Sequence, residues 1–261
     1  MSLPLSIVRL GGDVFPSPWN YPLVISLLPL AGAIAAGCTM ILKPSELSPA
    51  CSQIMADLIP KYLDPDAVAV INGGVAETNR LLELRFEHIF FTGGNRVGRI
   101  VAAAAAKNVT PLTLELGGKS PVFVDAKNTD LEIAARRILW GKIQNTGQVS
   151  RLSTSPLDDV LLNNINQVCV APDYILVPRS QEEALVAAFK KAYAQFWPHP
   201  EGPLDDKSEL GNIITPTSQA RLQKLLDETK GKIVIGGKSK GKRISPAIVQ
   251  GVKVDDILLE E

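Results

Sequence analysis

Two hydrophobic periods alternate along most of this chain. In "PLVISLLPLAGAIAAG" (Pro22–Gly37) the apolar positions read as a helix, with Gly37 as its stop. "CTMILKP" (Cys38–Pro44) is a short apolar run that reads as a strand. "SPACSQIMADLIPKYL" (Ser48–Leu63) predicts a helix with Ser48 as N-cap and Pro49 in its first position. The alternation continues with "AVAVING" (strand), "GVAETNRLLEL" (helix), "HIFFTGG" (strand) and the alanine-rich helix "NRVGRIVAAAAAKN". "TPLTLEL" and "SPVFVDA" read as strands split by Gly117-Gly118, followed by the helix "DLEIAARRILWGKIQN". Beyond Cys169, "YILVPR" predicts a strand, and "SQEEALVAAFKKAYAQF" and "TSQARLQKLLDETK" predict helices. The remainder, from Lys232, reads as short strands and turns. Strands alternating with helices of this length mean βαβ units, hence the α/β class with a parallel sheet covered by helices on both faces.

Composition narrows the choice of partners. The 261 residues suffice for one large domain or two smaller ones, and 46% are apolar, enough for a sizeable core. Lys+Arg and Asp+Glu are equal at 27, with no basic run, which argues against nucleic acid as a partner. Cys38, Cys51 and Cys169 are widely spaced, giving neither a disulfide framework nor metal-ligand spacing. A reducing, cytoplasmic setting is expected. Val14 to Leu42 carries no charge and is long enough to span a bilayer. It holds four prolines and ends in a strand pattern, so it reads as a buried helix followed by a buried strand, not as a membrane segment.

A parallel sheet binds ligands at the carboxyl ends of its strands. Lys43 follows one predicted strand, Gly93-Gly94 another, and Glu115 with Gly117-Gly118 a third. No G-x-G-x-x-G occurs. "TGGNRVG" leads a glycine turn into a helix N-terminus, which suits a phosphate; taken alone, such glycines are more often plain turns. Cys169 alone reads as a small packed apolar group, and Lys43 alone as a solvated charge at a strand end. His88 and His199 have no partners at useful spacing, so a Cys/His or Ser/His triad has little support.

The motifs gain meaning together. "PWNYP" (18–22), "LKPSE" (42–46), "FFTGG" (90–94), "LELGGKSP" (114–121) and "CVAPDY" (169–174) occur in this order. The sequence so marked resembles the aldehyde dehydrogenase superfamily, and "APDY" resembles its class 3, fatty-aldehyde branch. The resemblance implies a Rossmann-like NAD(P)-binding domain over about 1–115 and a partial α/β catalytic domain over 116–261. It implies Cys169 as nucleophile, Glu115 as general base and Asn20 as the side chain that stabilises the oxyanion. Lys43 and Glu46 match residues that hold the adenosine ribose; Gly93, Gly94 and Val97 match the turn and helix start beside the pyrophosphate. Many members have Ser where Gly94 stands. The implied chemistry is attack of the Cys169 thiolate on an aldehyde, hydride transfer to NAD (or NADP), and hydrolysis of the resulting thioester by water that Glu115 deprotonates. Substrates would be apolar aldehydes, and the full-length family form a homodimer.

Three departures accompany the resemblance. The family's glycine-glutamine pair is followed after one residue by the cysteine, whereas here Val149 to Gln167, a polar segment rich in Ser, Asp and Asn, intervenes. Deleting it restores "NTGQVCVAPDY". Val codons begin GT and a Gln codon can end AG, so the segment reads as a retained in-frame intron; transcripts that all keep it would refute this and leave a genuine surface insertion. Ahead of "PWNYP" the family has an apolar strand, whereas "LGGDVFPS" (Leu10–Ser17) is poor strand material. The chain also looks truncated at both ends relative to the family, and Glu260 or Glu261 matches the glutamate of a nicotinamide-ribose motif. These departures leave a second reading, a non-catalytic chain that keeps nucleotide or subunit binding. A third, a thiol hydrolase using Cys169, would need a nearby histidine.

Overall fold

A computed structural model gives the protein's structure over residues 12–125, 127–144, 159–163, 169–253 and 255–259, with 159–163 and 259 described by their backbone. Gly147, Gln148, Glu260, Glu261 and the rest of the 149–167 segment lie outside the described residues. The chain divides into two compact units, 1–116 and 117–261.

Unit 1 holds five parallel strands, β1 (Asp13–Pro16), β2 (Met40–Lys43), β3 (Val68–Val70), β4 (His88–Thr92) and β5 (Leu112–Glu115), in the order β3-β2-β1-β4-β5. The helices α1 (Val24–Ala35), α2 (Pro49–Tyr62), α3 (Val75–Leu82) and α4 (Asn95–Lys107) connect them. Successive strand residues point to opposite faces. Accordingly Phe15 packs with Leu30, Leu42, Met55 and Ile59 on the α1/α2 side, and Val14 packs with Ile89, Phe91, Val101 and Ala105 on the α3/α4 side. α1 stops at Ala35 ahead of Gly37, whose φ of 74° suits glycine. Pro49 opens α2, but the Ser48 hydroxyl donates to the Ser45 carbonyl at 3.2 Å instead of capping the helix.

Two expectations need correction. "LGGDVFPS" supplies β1, the central strand of the sheet, buried along its whole length. Val14 and Phe15, one per face, bury enough apolar surface to override poor strand propensity. Pro16 is tolerated because it is the last residue of the strand, and Ser17 N–H resumes the bonding by donating to Lys43 O at 3.0 Å. α1, in turn, is not a buried helix. Only Ser26 and Leu30 are buried, and Leu28 is 72% exposed, because the sheet covers one stripe of a helix that is apolar nearly all round. No described helix is long and apolar enough to cross a membrane.

The cost of the unusual strand falls on Asp13. It is 6% exposed, and its Oδ1 accepts no hydrogen bond. Burial pushes its carboxyl above the ordinary value, partly offset by His88 and by the Cys38 thiol. A raised folded-state value means that the folded chain binds the extra proton. Stability from this group is therefore full below the ordinary carboxylate range and is lost as pH rises through the raised value. Asp13→Val is expected to stabilise the protein by about 1–3 kcal/mol at neutral pH and by clearly less near pH 4. Urea unfolding at both pH values measures this, and an equal gain at both would contradict it.

Unit 2 contains a mixed sheet, β6 (Ser120–Phe123), β8 (Pro172–Leu176), β7 (Asp159–Asn163), β12 (Ala247–Gln250) and β9 (Lys232–Ile235), in that order. β6 and β8 are parallel, and the other pairs are antiparallel. β10 (Ser239–Lys240) and β11 (Arg243–Ile244) form a separate two-stranded ribbon. The helices are α5 (Leu131–Ile143), α6 (Glu182–Phe196) and α7 (Pro216–Glu228). Asp130 caps α5 by accepting from Glu132 N at 2.9 Å and Ile133 N at 3.1 Å. The core joins Ala135, Ile138 and Leu139 of α5 to Leu185, Phe189 and Ala192 of α6 over Ile175 and Ile248 of the sheet. Within the segment 149–167, the short apolar run at Val160–Leu162 lies in β7, a strand that the sequence pattern did not predict, paired to β8 on one side and β12 on the other.

Candidate active site

In unit 1 the candidate residues gather where the sheet topology favours a ligand. With the order β3-β2-β1-β4-β5, the connections leave β1 in opposite directions, and the crevice beyond the carboxyl ends near β1 and β4 is the usual binding place. Lys43 ends β2, Asn20 follows β1 in the turn to α1, Gly93 follows β4 and Glu115 ends β5.

Lys43 is buried. Its ammonium donates to Pro44 O at 3.0 Å and to Glu46 Oε2 at 3.1 Å, while Glu46 remains half-exposed. The loop between them is fixed by serines: Ser52 Oγ donates to Ser45 O at 2.7 Å, and Leu47 N–H donates to Ser45 Oγ at 3.2 Å. A charged group is thus held at a strand end by a preformed turn, and it is not the solvated charge that Lys43 alone suggested.

The three glycines around the start of α4 serve different ends. A Cβ on Gly93 would fall 2.5 Å from the Phe91 ring, and Gly93 N–H donates to Glu115 O at 3.0 Å, tying this turn to the end of β5. Gly94 is the N-cap of α4, and a Cβ there would meet nothing within 4 Å. That open space at a helix N-terminus can admit an anionic group, and it can equally admit the Ser that many relatives carry there. Gly98, which the sequence reading passed over, would place a Cβ 2.8 Å from Leu116 Cδ2, so a larger residue would require the Leu116 side chain to shift. Its fourfold spacing from Gly94 was the available signal. Val97, on the same first turn of α4, is partly exposed.

Asn20 is half-buried, with its Oδ1 buried, in a turn held by Ile25 N–H donating to Tyr21 O at 3.0 Å. The Glu115 side chain is exposed. His88 Nε2 and Thr113 Oγ1 are 2.9 Å apart in unit 1, which occupies this histidine within the sheet.

In unit 2 Cys169 is a free, half-buried thiol in the turn that leads into β8. Its carbonyl oxygen lies 2.5 Å from where a Cβ on Gly118 would stand, so the "LGGKSP" and "CVAPDY" motifs run against each other at backbone distance. Lys142 Nζ donates to Asp173 Oδ1 at 2.8 Å, and Lys119 Nζ lies 3.2 Å from Asp173 Oδ2. The sequence reading named neither lysine nor Asp173. The signal was there: Ala135, Ile138, Leu139 and Lys142 form the buried stripe of α5, so a lysine sits where the helical spacing calls for an apolar side chain. Among the described residues no group of His, Cys, Asp and Glu could hold a metal.

The comparisons agree with the motif order. The family described as "Aldehyde dehydrogenase family" matches residues 14–154 and 159–261. Aldehyde dehydrogenase family 3 member B1 of Rattus norvegicus is 44% identical over 246 residues, which are 94% of this chain and 47% of that protein. Among solved structures, Staphylococcus aureus AldH in a substrate-bound state superposes with a TM-score of 0.80 at 35% identity, covering 100% of this chain and 54% of the other. Aldehyde dehydrogenase C from Pseudomonas syringae, complexed with NAD+ and octanal, gives 0.79 at 28% identity, covering 97% and 50%. The chain therefore spans about half the length of the relatives it matches. With the family pattern on both units and the strand-end motifs in family order, the chain belongs to the aldehyde dehydrogenase family.

Proposed function

We propose that the chain oxidises an apolar aldehyde to its carboxylic acid with NAD, or NADP, as hydride acceptor, and that its assembled form is a homodimer. One observation carries the reading. Lys43, the Gly93-Gly94 turn with the open N-terminus of α4, and Glu115 all lie at the carboxyl ends of one parallel sheet, in a chain of this family. Those residues fit a dinucleotide. The first turn of α4 offers backbone N–H groups to a pyrophosphate, and Lys43 and Glu46 offer a cation and an acceptor to a ribose. The dinucleotide, when bound, supplies the acceptor for the hydride.

Cys169 attacks the aldehyde carbon as thiolate, and Asn20 donates its amide N–H to the oxyanion that forms. Loss of hydride from that carbon leaves a thioester on Cys169. Glu115 takes a proton from water, and the hydroxide releases the acid and restores the thiol. The similar Pseudomonas syringae aldehyde dehydrogenase C, complexed with NAD+ and octanal, supports the cofactor and an apolar aldehyde as the substrate class.

A second reading, dinucleotide binding without turnover, is favoured by the segment inserted between Gln148 and Cys169. A nucleophile must be held within roughly 0.5 Å of its productive place, and the insertion ends next to it. Titration of the chain with NAD+, followed by addition of octanal, separates the two. Binding with aldehyde-dependent formation of reduced nicotinamide supports the first reading; binding with none supports the second, and no binding opposes both.

A further inference from the structure

We propose that Asp173, clamped by Lys142 and Lys119, is the positioning residue that sets where Cys169 stands. The inference rests on the reading of Cys169 as the nucleophile and adds the apparatus that holds it. Asp173 and Lys142 have side chains 2% and 3% exposed, and that of Lys119 is 11% exposed. Two buried cations on one buried carboxylate are a poor way to gain stability. Apolar side chains of similar size fill such a place as well or better, because each ion is stripped of its hydration. A charged cluster at the end of the buried stripe of α5 therefore calls for a role other than core filling.

The geometry supplies one. Each lysine directly follows a glycine that touches the segment carrying Cys169. Gly118 lies against Cys169 O, and Lys119 reaches Asp173 Oδ2. Gly141 lies against the Pro172 ring, its would-be Cβ 3.2 Å from Cδ, and Lys142 reaches Asp173 Oδ1. The same two-residue device thus recurs on two elements: a glycine admits the backbone of the segment, and the next residue's ammonium ties it down. Residues 169–173 are gripped at Cys169 by the turn before β6, at Pro172 by the last turn of α5, and at Asp173 by both. The place of the grip matters, since the parallel pairing of β6 with β8 begins here at Ser120 and Pro172, with a register shift before Pro121 pairs with Tyr174. Val170, between the gripped points, is 73% exposed, so the apolar core adds little hold on this turn.

The test uses the whole chain and reads Cys169 itself. Rates of alkylation by iodoacetamide are measured against pH, peptide by peptide, for the wild type, Asp173→Asn, Lys142→Met and Lys142→Arg. Cys51, half-buried in unit 1, is the reference within each sample. Lys142→Met keeps Asp173 paired with Lys119, so it carries the test even if Asp173→Asn does not fold. The expected result is alkylation of Cys169 about tenfold faster in Lys142→Met, with Cys51 unchanged and near wild-type rates restored in Lys142→Arg. A Cys169 profile that is unchanged or slower in folded Lys142→Met, or that moves in parallel with Cys51, overturns the proposal. The underlying reading fails separately, by retention of aldehyde oxidation in Cys169→Ser.

Discussion

Cys169→Ser is expected to lower aldehyde oxidation by ~10⁴-fold or more while leaving NAD+ binding intact. A thiol ionises within reach of neutral pH; a serine hydroxyl does not and needs a partner base to act as a nucleophile. By spacing in the sequence neither histidine is placed to serve as that base, and the His88 ring is already engaged by Thr113 Oγ1 at 2.9 Å. Steady-state rates of reduced-nicotinamide formation, with NAD+ affinity measured on the same samples, check both halves. A loss of binding that matches the loss of rate would place Cys169 in the scaffold and not in the chemistry.

Gly236→Ala is expected to destabilise the protein by about 3 kcal/mol or more. Gly236 has φ of +66°, and a Cβ there would stand 1.7 Å from Pro246 O. That carbonyl is not free to move. It accepts a hydrogen bond from Tyr193 Oη at 3.2 Å, and Tyr193 packs edge-on to Trp197 with ring centroids 4.8 Å apart. Burial pushes the Tyr193 phenol up to about 12, so it remains a donor at every working pH. The clash would thus be transmitted from the end of β9 through Pro246 to α6 and the core of unit 2. Chemical unfolding measures the loss; a change below about 0.5 kcal/mol would contradict this account of the turn. The same change at Gly94, where space is open, gives the contrasting case in unit 1.

Much of this was legible in the sequence. Among the described residues, the 3.6 and 2 periods located each α-helix and most strands because each element buries one stripe or face. The strand ends that carry the candidate motifs were readable because Lys43, Gly93 and Glu115 each close an apolar run of strand length. β1 was not legible, since Asp13 and Pro16 hide two fully buried residues, Val14 and Phe15, that only the surrounding sheet makes decisive. α1 looked buried because its apolar residues run nearly all round, and sequence periodicity does not tell which part of such a helix is covered. β7 was invisible because three apolar residues in a polar segment are too few to show a period. The Lys119–Asp173–Lys142 cluster joins positions far apart in the chain, and only folding brings them together.

The most direct measurement is the mass of the Cys169 peptide after the chain is mixed with NAD+ and octanal and quenched in acid. The account predicts a peptide heavier by one octanoyl group, formed only when NAD+ is present and absent in Cys169→Ser. Production of reduced nicotinamide with an unmodified Cys169 peptide, or binding of NAD+ with no acylation and no turnover, would contradict it.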